Sequence, residues 1–477
     1  MIELADVSYT YPRTVQEALS HLSLELAPGR CIMVTGPSGA GKTTLCLAAC
    51  GILFHEYGGK KAGIVTINGR DVSAYTGLSE IAKDIGIVFD DPEAQMIFTT
   101  VEEEILSALE YRGLSPEEIE KRLASILDLT YLSALKDRSP HHLSGGQKQR
   151  VALAATLALG NDIVILDEPT SELDEHATRR IVSILANLKK QGKTLLIVEH
   201  KYAHFRELAD TIVVMEHGRI SAIGTPEEVL RDERIQRIVI PDFTGIRDGP
   251  APVPKEAGPA ITVTNLSYSY EEVCALNSVS LTVNRGEFVA IVGENGSGKT
   301  TLVKQFNGLL TPTSGDVEIL AKNTKNCTIA QLAKDVGLVF QNPDHMFFAD
   351  TVHDEVAFGL ANLGIADPEK VIDAALGEVG LLATKNLYPR WLSRGERQRL
   401  AIACVVAMQP EVIVLDEPTT GLDGDEARLV MATLKKLQQQ GHTVIVITHN
   451  REIAERCADR IIAMDQGRIV SDVRAVN

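Results

Sequence analysis

Two lysines, Lys42 and Lys299, each follow a glycine and precede two threonines. GPSGAGKTT runs from Gly36 to Thr44, and GENGSGKTT runs from Gly293 to Thr301. Glycines at this spacing let backbone N–H groups wrap a chain of phosphates, and the lysine reaches the β- and γ-phosphates. The hydroxyl after the lysine ligates Mg²⁺. One cradle would therefore use Gly36, Pro37, Ser38, Gly39, Ala40, Gly41, Lys42, Thr43 and Thr44. The other would use Gly293, Glu294, Asn295, Gly296, Ser297, Gly298, Lys299, Thr300 and Thr301. A lone match also describes an ordinary glycine-rich turn between a strand and a helix. Two matches, each after an apolar run and each followed by an acid-terminated run, leave that reading little room.

The acid-terminated runs are IVILDE and VIVLDE, which place Asp167-Glu168 and Asp416-Glu417 at the ends of apolar strands. Carboxylates at the C-terminal end of a buried parallel strand face the crevice where α/β sheets bind ligands. Two further runs, LLIVEH and VIVITH, put His200 and His449 at strand ends. Each His, like each Asp, stands 249 positions from its counterpart, which favours a role at the γ-phosphate over a structural one. A third pair of strands ends in Asp90 and Gln341. An amide there can contact both Mg²⁺ and an attacking water, whereas a carboxylate adds negative charge beside the phosphates.

These residues lie in an internal duplication, whose most alike stretches are Leu143–Asp174 and Leu392–Asp423. Each stretch is a Ser-Gly turn, a helix-length segment and the acid-terminated strand. Near each repeat's start, VSYTY and LSYSY end in Tyr11 and Tyr270. Those rings either stack on an adenine or close a half-buried strand. The Pro- and Gly-rich segment PDFTGIRDGPAPVPKEAGPA reads as a linker over residues 241–260, between domains at 1–240 and 261–477. Extended, it would span about 65 Å, enough to let the halves face each other.

The 477 residues suit two domains, and a net charge of −17 argues against broad nucleic-acid binding. Seven cysteines without a CxxC pair read as buried, reduced thiols of a cytosolic protein. MIELADVSYT lacks the basic start of a signal peptide. The longest candidate span, Leu45–Phe54, has 10 residues, against the ~20 needed to cross a bilayer. Any membrane role must therefore come through a partner.

With these motifs in order, the chain resembles ATP-binding cassette (ABC) ATPases, with two nucleotide-binding domains on one polypeptide. The resemblance covers nearly everything outside the linker. It implies an α/β fold: two tandem P-loop domains, each with a mainly parallel sheet core, an antiparallel β part and a helical subdomain bearing the LSGGQ signature. It implies ATP and Mg²⁺ as cofactors, with Thr43, Asp90, Asp167, Thr300, Gln341 and Asp416 around the metal. Glu168, Glu417, His200, His449 and Gln341 become the catalytic set. In this family the domains pair head to tail, so each ATP lies between one P-loop and the other domain's signature. Here that predicts an intramolecular pseudo-dimer. The first signature, Ser144, Gly145, Gly146 and Gln147, is intact; the second keeps Ser393 and Gly395 but carries Arg394 and Glu396. Arg394 either obstructs close backbone approach or pairs with phosphate oxygens. The two sites are therefore expected to be unequal, with the one built on Lys299 the stronger.

Val339–Gly359 is similar, more narrowly, to the segment after the Q-loop in ATPases of energy-coupling factor (ECF) transporters. That resemblance implies a peripheral motor on the cytoplasmic face of the cell membrane. Its partners would be a transmembrane coupling protein and a small substrate-binding membrane protein importing a vitamin or metal ion. Glu102, Glu103, Glu104, Asp354 and Glu355 are expected to accept basic side chains of the membrane partner. Two other classes compete: tandem ABC proteins acting on ribosomes, which carry a long charged helical linker unlike this one, and fused ATPases of sugar importers.

Overall fold

The computed structural model describes residues 1–12, 14–171, 173–240, 243–244, 246, 258–271, 273–365 and 367–475. The chain divides into two units, Met1–Pro241 and Asp242–Asn477. Each is built the same way.

In the first unit, Cys31–Thr35 lies at the middle of a six-stranded sheet. The order is Arg219–Gly224, Thr211–Glu216, Cys31–Thr35, Thr194–Val198, Ile163–Asp167, Ile85–Val88. All neighbours are parallel except the first two strands. The second unit repeats the arrangement around Phe288–Val292, with Val336–Val339, Val412–Asp416 and Thr443–Thr448 on one side and Arg460–Asp465 and Arg468–Arg474 on the other. The central strands are continuous Val, Ile and Leu because both faces are covered. Along Ile163–Asp167, Ile163 and Ile165 pack toward a separate antiparallel sheet, while Val164 and Leu166 pack toward helices on the opposite face. That second sheet pairs Leu19–Leu26, Ile2–Thr10, Lys60–Ile67 and Arg70–Asp71. Its counterpart is formed by Val273–Asn284, Pro259–Tyr270, Ser314–Ile319 and Lys322–Asn323.

A helical part completes each unit. In the first, Val101–Tyr111, Pro116–Leu129 and Gly145–Ala158 close on Ile105, Leu109, Leu127 and Val151. In the second, Val352–Asn362, Glu369–Glu378 and Arg394–Val406 do the same. Most of the segment read as a linker lies outside the described residues. Within it, Phe243 and Ile246 are buried in the second unit's core, and the strand of that unit begins at Pro259.

Among the described residues no helix is long and apolar enough to cross a membrane. The apolar stretch Leu45–Phe54 is the body of the P-loop helix Lys42–Ala49 and the short helix after it. All seven cysteines are free; contrary to the expectation of burial, Cys274 is exposed.

Candidate active sites

The central parallel strands deliver their loops to one edge of each sheet. Cys31–Thr35 runs into Gly36–Gly41, whose last glycine starts the helix at Lys42 with φ +96°. Gly298 does the same with φ +98°. Only glycine fits: a Cβ on Gly41 would lie 2.4 Å from the Ala18 carbonyl, and one on Gly298 would lie 2.7 Å from the Ala275 carbonyl. The lysines curl back into their own loops. Lys42 Nζ donates to the Gly36 and Pro37 carbonyls, both at 2.9 Å. Lys299 Nζ donates to those of Gly293 and Glu294 at 2.7 and 2.8 Å. Each ammonium is thus stationed inside a loop whose helix dipole also favours an anion.

Beside the loop stands the acidic pair. Thr300 Oγ1 donates to Asp416 Oδ2 at 2.7 Å, setting a hydroxyl and a carboxylate side by side next to the loop. Thr43 holds the matching position beside Asp167, where its hydroxyl favours the charged carboxylate. Burial pushes the Asp167 carboxyl up to about 7, against the Thr43 hydrogen bond; the negative charges of Glu168 and Asp90 add to the rise, and Lys42 opposes it. Asp416 is also raised, chiefly by burial, with Glu417 adding. Asp90 and Gln341 are both exposed where their strands end. Of the two, only Asp90 brings a charge to the neighbouring aspartate.

Glu168 and Glu417 hold the left-handed backbone region, with φ of +47° and +49°. Non-glycine residues are uncommon there, and such strain persists only where surrounding structure imposes it. The imposing contact is the same in both: Glu168 N donates to the Val198 carbonyl and Glu417 N to that of Ile447, each at 2.9 Å. Each Glu meets its histidine. His200 Nε2 lies 3.2 Å from Glu168 Oε1, and His449 Nδ1 lies 3.0 Å from Glu417 Oε2. Lysine, hydroxyl, acidic pair and histidine therefore converge twice.

Tyr11 is half-buried and its hydroxyl lies 3.2 Å from Thr44 Oγ1, beside the P-loop. Tyr270 is exposed and stacks edge-on to Tyr268 at 4.9 Å.

The signature residues are held by capping. Ser144 N donates to Gln147 Oε1 at 3.0 Å. Ser393 N donates to Glu396 Oε2 at 2.8 Å, and Ser393 Oγ accepts from Glu396 N at 3.2 Å. Glutamate at 396 thus performs the same capping as glutamine at 147. The two signature glycines are not equivalent. A Cβ on Gly146 would lie 2.7 Å from Ala177 Cβ, and one on Gly395 would lie 2.3 Å from Glu426 Oε2, so the second glycine is required by packing. A Cβ on Gly145 meets nothing, which is why its counterpart can be Arg394.

Glu199 and Lys201 escaped the sequence reading. Glu199 is fully buried, accepting from Thr170 N, Thr170 Oγ1 and His200 N at 3.1, 2.6 and 2.9 Å. An acid at the end of so apolar a run as LLIV was the available signal. Of the five acids expected to receive a partner's basic groups, Glu104 and Glu355 are buried and taken up by backbone amides, and the other three are at least partly exposed with local partners. Glu104 accepts from the Ile97 and Phe98 amides, both at 2.9 Å, and Glu355 accepts from those of Phe348 and Ala349, both at 2.6 Å. Glu103 caps its helix through Thr100 N at 3.1 Å, Glu102 pairs with Lys136 at 3.4 Å and Asp354 with His353 at 2.9 Å. The two buried glutamates instead support loops that expose Ile97, Phe98 and Phe348.

The ABC transporter family model matches residues 19–171 and 276–420, once over each P-loop, signature and acidic pair. The chain belongs to the ABC transporter ATP-binding proteins. An ABC transporter ATP-binding protein of Methanosarcina acetivorans is 49% identical over 475 residues, covering 99% of this chain and 90% of its own length. One of Caldanaerobacter subterraneus is 36% identical, covering 98% and 90%. Among solved structures, cbiO1 of Clostridium perfringens, part of the ABC transporter complex cbiONQ, is 36% identical. It covers 46% of this chain and 89% of its own, with a TM-score of 0.43. This ABC protein carries two ATP-binding domains and is an ATPase coupled to transport.

Proposed function

We propose that the chain is the ATP-hydrolysing motor of an ECF-type micronutrient importer, its two domains pairing head to tail around two unequal ATP sites. The observation that carries the membrane side is the pair of loops after Asp90 and Gln341. In each, a buried glutamate fixes the backbone while large apolar side chains are left outside: Ile97 is 82% exposed and Phe348 is 65% exposed. Phe348 packs edge-on against exposed Phe358 at 4.5 Å. In the first unit a recess of about 260 Å³, lined by Gln95, Met96, Glu104, Ser107 and Thr156, adjoins the loop. Exposed apolar patches of this kind mark contact surfaces. The resemblance of Val339–Gly359 to ECF ATPases points to a transmembrane coupling protein as the contact, with a small substrate-binding membrane protein beyond it.

Each docking loop is wired to a signature helix. Arg397 Nε lies 2.9 Å from Asp344 Oδ1, and Lys148 pairs with Glu93. A partner pressing on either loop therefore moves a signature. In the site built on Lys299, Glu417 orients the water, His449 contacts the γ-phosphate, and Gln341 senses water and metal. Serine and backbone amides of the signature at Ser144–Gln147 complete it from the other domain. The site built on Lys42 uses Asp90, Glu168 and His200 with the signature at Ser393–Gly395. The residues present fit Mg²⁺: Asp167 Oδ1 is buried with no hydrogen-bond partner, and the Thr300–Asp416 pair offers hydroxyl and carboxylate oxygens. Bound there, Mg²⁺ would neutralise charge on the phosphates. Glu417 Oε1 is likewise buried without a partner, as suits a water acceptor.

Copurification from membranes tests the reading. Ile97→Asp with Phe348→Asp should release the membrane partners while equilibrium ATP binding persists. Undiminished copurification, or sedimentation of the wild-type chain with ribosomes, would sink it.

A further inference from the structure

The turn that follows each acidic pair is anchored differently in the two units. In the first, Lys201 Nζ donates to the carbonyls of Thr170 and Leu173 at 2.7 and 2.9 Å. Glu199 holds Thr170 from the same side. Both residues flank His200, so this turn is tied to the histidine loop. The matching positions in the second unit are Thr448 and Asn450, which bond within their own loop. Asn450 N donates to Thr448 Oγ1 at 3.0 Å, and Asn450 Oδ1 accepts from Ile453 N at 3.2 Å.

The second unit's turn is held by a charged side chain of its signature helix, whereas in the first unit the turn meets that helix through the apolar Leu173, whose Cδ2 would lie 3.7 Å from a Cβ on Gly146. Gly421 has φ +70°, and a Cβ there would lie 2.5 Å from Arg394 Cζ, 2.7 Å from Nη1 and 2.8 Å from Nε. The guanidinium therefore lies against the bare backbone of Gly421. Farther along the same helix, Arg399 forms a largely buried ion pair with Glu426, on the helix that follows the turn. The first unit has Gly145, Arg150 and Ala177 at the corresponding positions. Arg150 Nη1 donates to the Thr130 and Tyr131 carbonyls at 2.9 and 2.7 Å, inside the helical part.

We infer that Arg394 is a positioning residue that clamps the second signature helix to the turn after Glu417, so that turn and signature move as one body in the second unit. The first unit's turn moves with its histidine loop. Arg394 is thus neither a loose obstruction at the signature nor a free ligand for phosphate. A planar guanidinium laid on a peptide backbone needs a glycine beneath it, and the second unit supplies both members of the pair.

Hydrogen exchange on the full chain, without nucleotide, tests the clamp. Arg394→Gly should speed exchange of the Glu396–Arg399 amides by ~10-fold, as local opening becomes easier. Gly421→Asn should do the same: asparagine tolerates the left-handed backbone, and its Cβ displaces the guanidinium. The double variant should exchange no faster than either single one, the mark of a shared contact. The kinetic arm, which alone rests on the proposed composite sites, expects a ~5-fold lower kcat with unchanged KM for ATP in all three variants. Additive exchange effects, or wild-type exchange in Arg394→Gly, would overturn the clamp. Altered exchange with wild-type kcat would overturn the positioning role. A wild-type chain without ATPase activity alongside its partners would instead count against the transport reading, and exchange would still decide the clamp.

Discussion

Asp90 and Gln341 occupy the same place on the same scaffold, as do Gly145 and Arg394, Glu199 and Thr448, and Ala177 and Glu426. Around them the two units agree closely. Both lysines fold onto their loop carbonyls, both glutamates are strained to nearly the same φ, and both meet a histidine. The differences fall in the groups that hold, charge or couple these residues, while lysine, hydroxyl, acidic pair and histidine are present in both. Duplicated machinery with divergent couplings can bind ATP twice while turning it over unevenly. Placement of the water and of charge-stabilising donors governs rate more than binding.

The largest test of that contrast is catalytic. Glu417→Gln should reduce steady-state ATPase activity by ~100-fold, because the site proposed to be the stronger loses the carboxylate proposed to orient its water. Glu168→Gln should leave more than half, on the order expected if the Lys42 site mainly holds nucleotide and keeps the halves engaged. The two rates, measured side by side on the complex, decide it. Equal losses, or a larger loss from Glu168→Gln, would mean that Asp90 and Arg394 do not mark the slower site.

A smaller effect separates the two histidine loops. Glu199 is buried under donors from Thr170 and His200, so Glu199→Ala leaves them unsatisfied and should cost about 2 kcal/mol of the first unit's stability. Thr448→Ala removes one acceptor from Asn450 and should cost less than about 1 kcal/mol. Chemical denaturation of the two variants checks the ranking. A reversed order would show that Glu199 is not the main anchor of its loop.

Much of this was legible before any coordinates. The P-loops, acidic pairs and histidines are local patterns, each at the end of an apolar run, and the sheet order brings those ends together. What stayed hidden depends on contacts distant in sequence. Glu104 and Glu355 looked like surface acids because nothing in TTVEEEI or DTVHDEV reveals the loop amides that bind them. Phe243 and Ile246 read as linker residues because the core they join is built from Phe288 and residues beyond it, distant in sequence. Arg394 looked like an intruder at a phosphate site because its partner, Gly421, is 27 residues away across a helix and a strand. Glu199 was readable in principle, as a charge ending LLIV, but its donors come from Thr170 in another loop.

The smallest predicted effect concerns charge beside Asp167 and Asp416, the aspartates proposed to support the metal. Asp167 is held near 7 chiefly by burial, and Asp90 contributes to the rise; the second unit has a neutral amide at that place. In metal-free protein the folded state therefore binds this proton more tightly than the unfolded chain does, whose aspartate titrates near its ordinary 3.8. The resulting stabilisation is fully present below the unfolded value and is lost as pH rises toward and through about 7, beyond which the contribution is level. Removing the Asp90 charge in Asp90→Asn lowers the Asp167 value, so the loss should finish at a lower pH and be smaller in total. Gln341→Asp should raise Asp416 and extend the loss in the second unit. Thermal unfolding in EDTA from pH 5 to pH 8 compares the three proteins. A steeper decline in Asp90→Asn than in wild type would show that Asp90 does not press on Asp167, and the electrostatic part of the contrast between the sites would have to be abandoned.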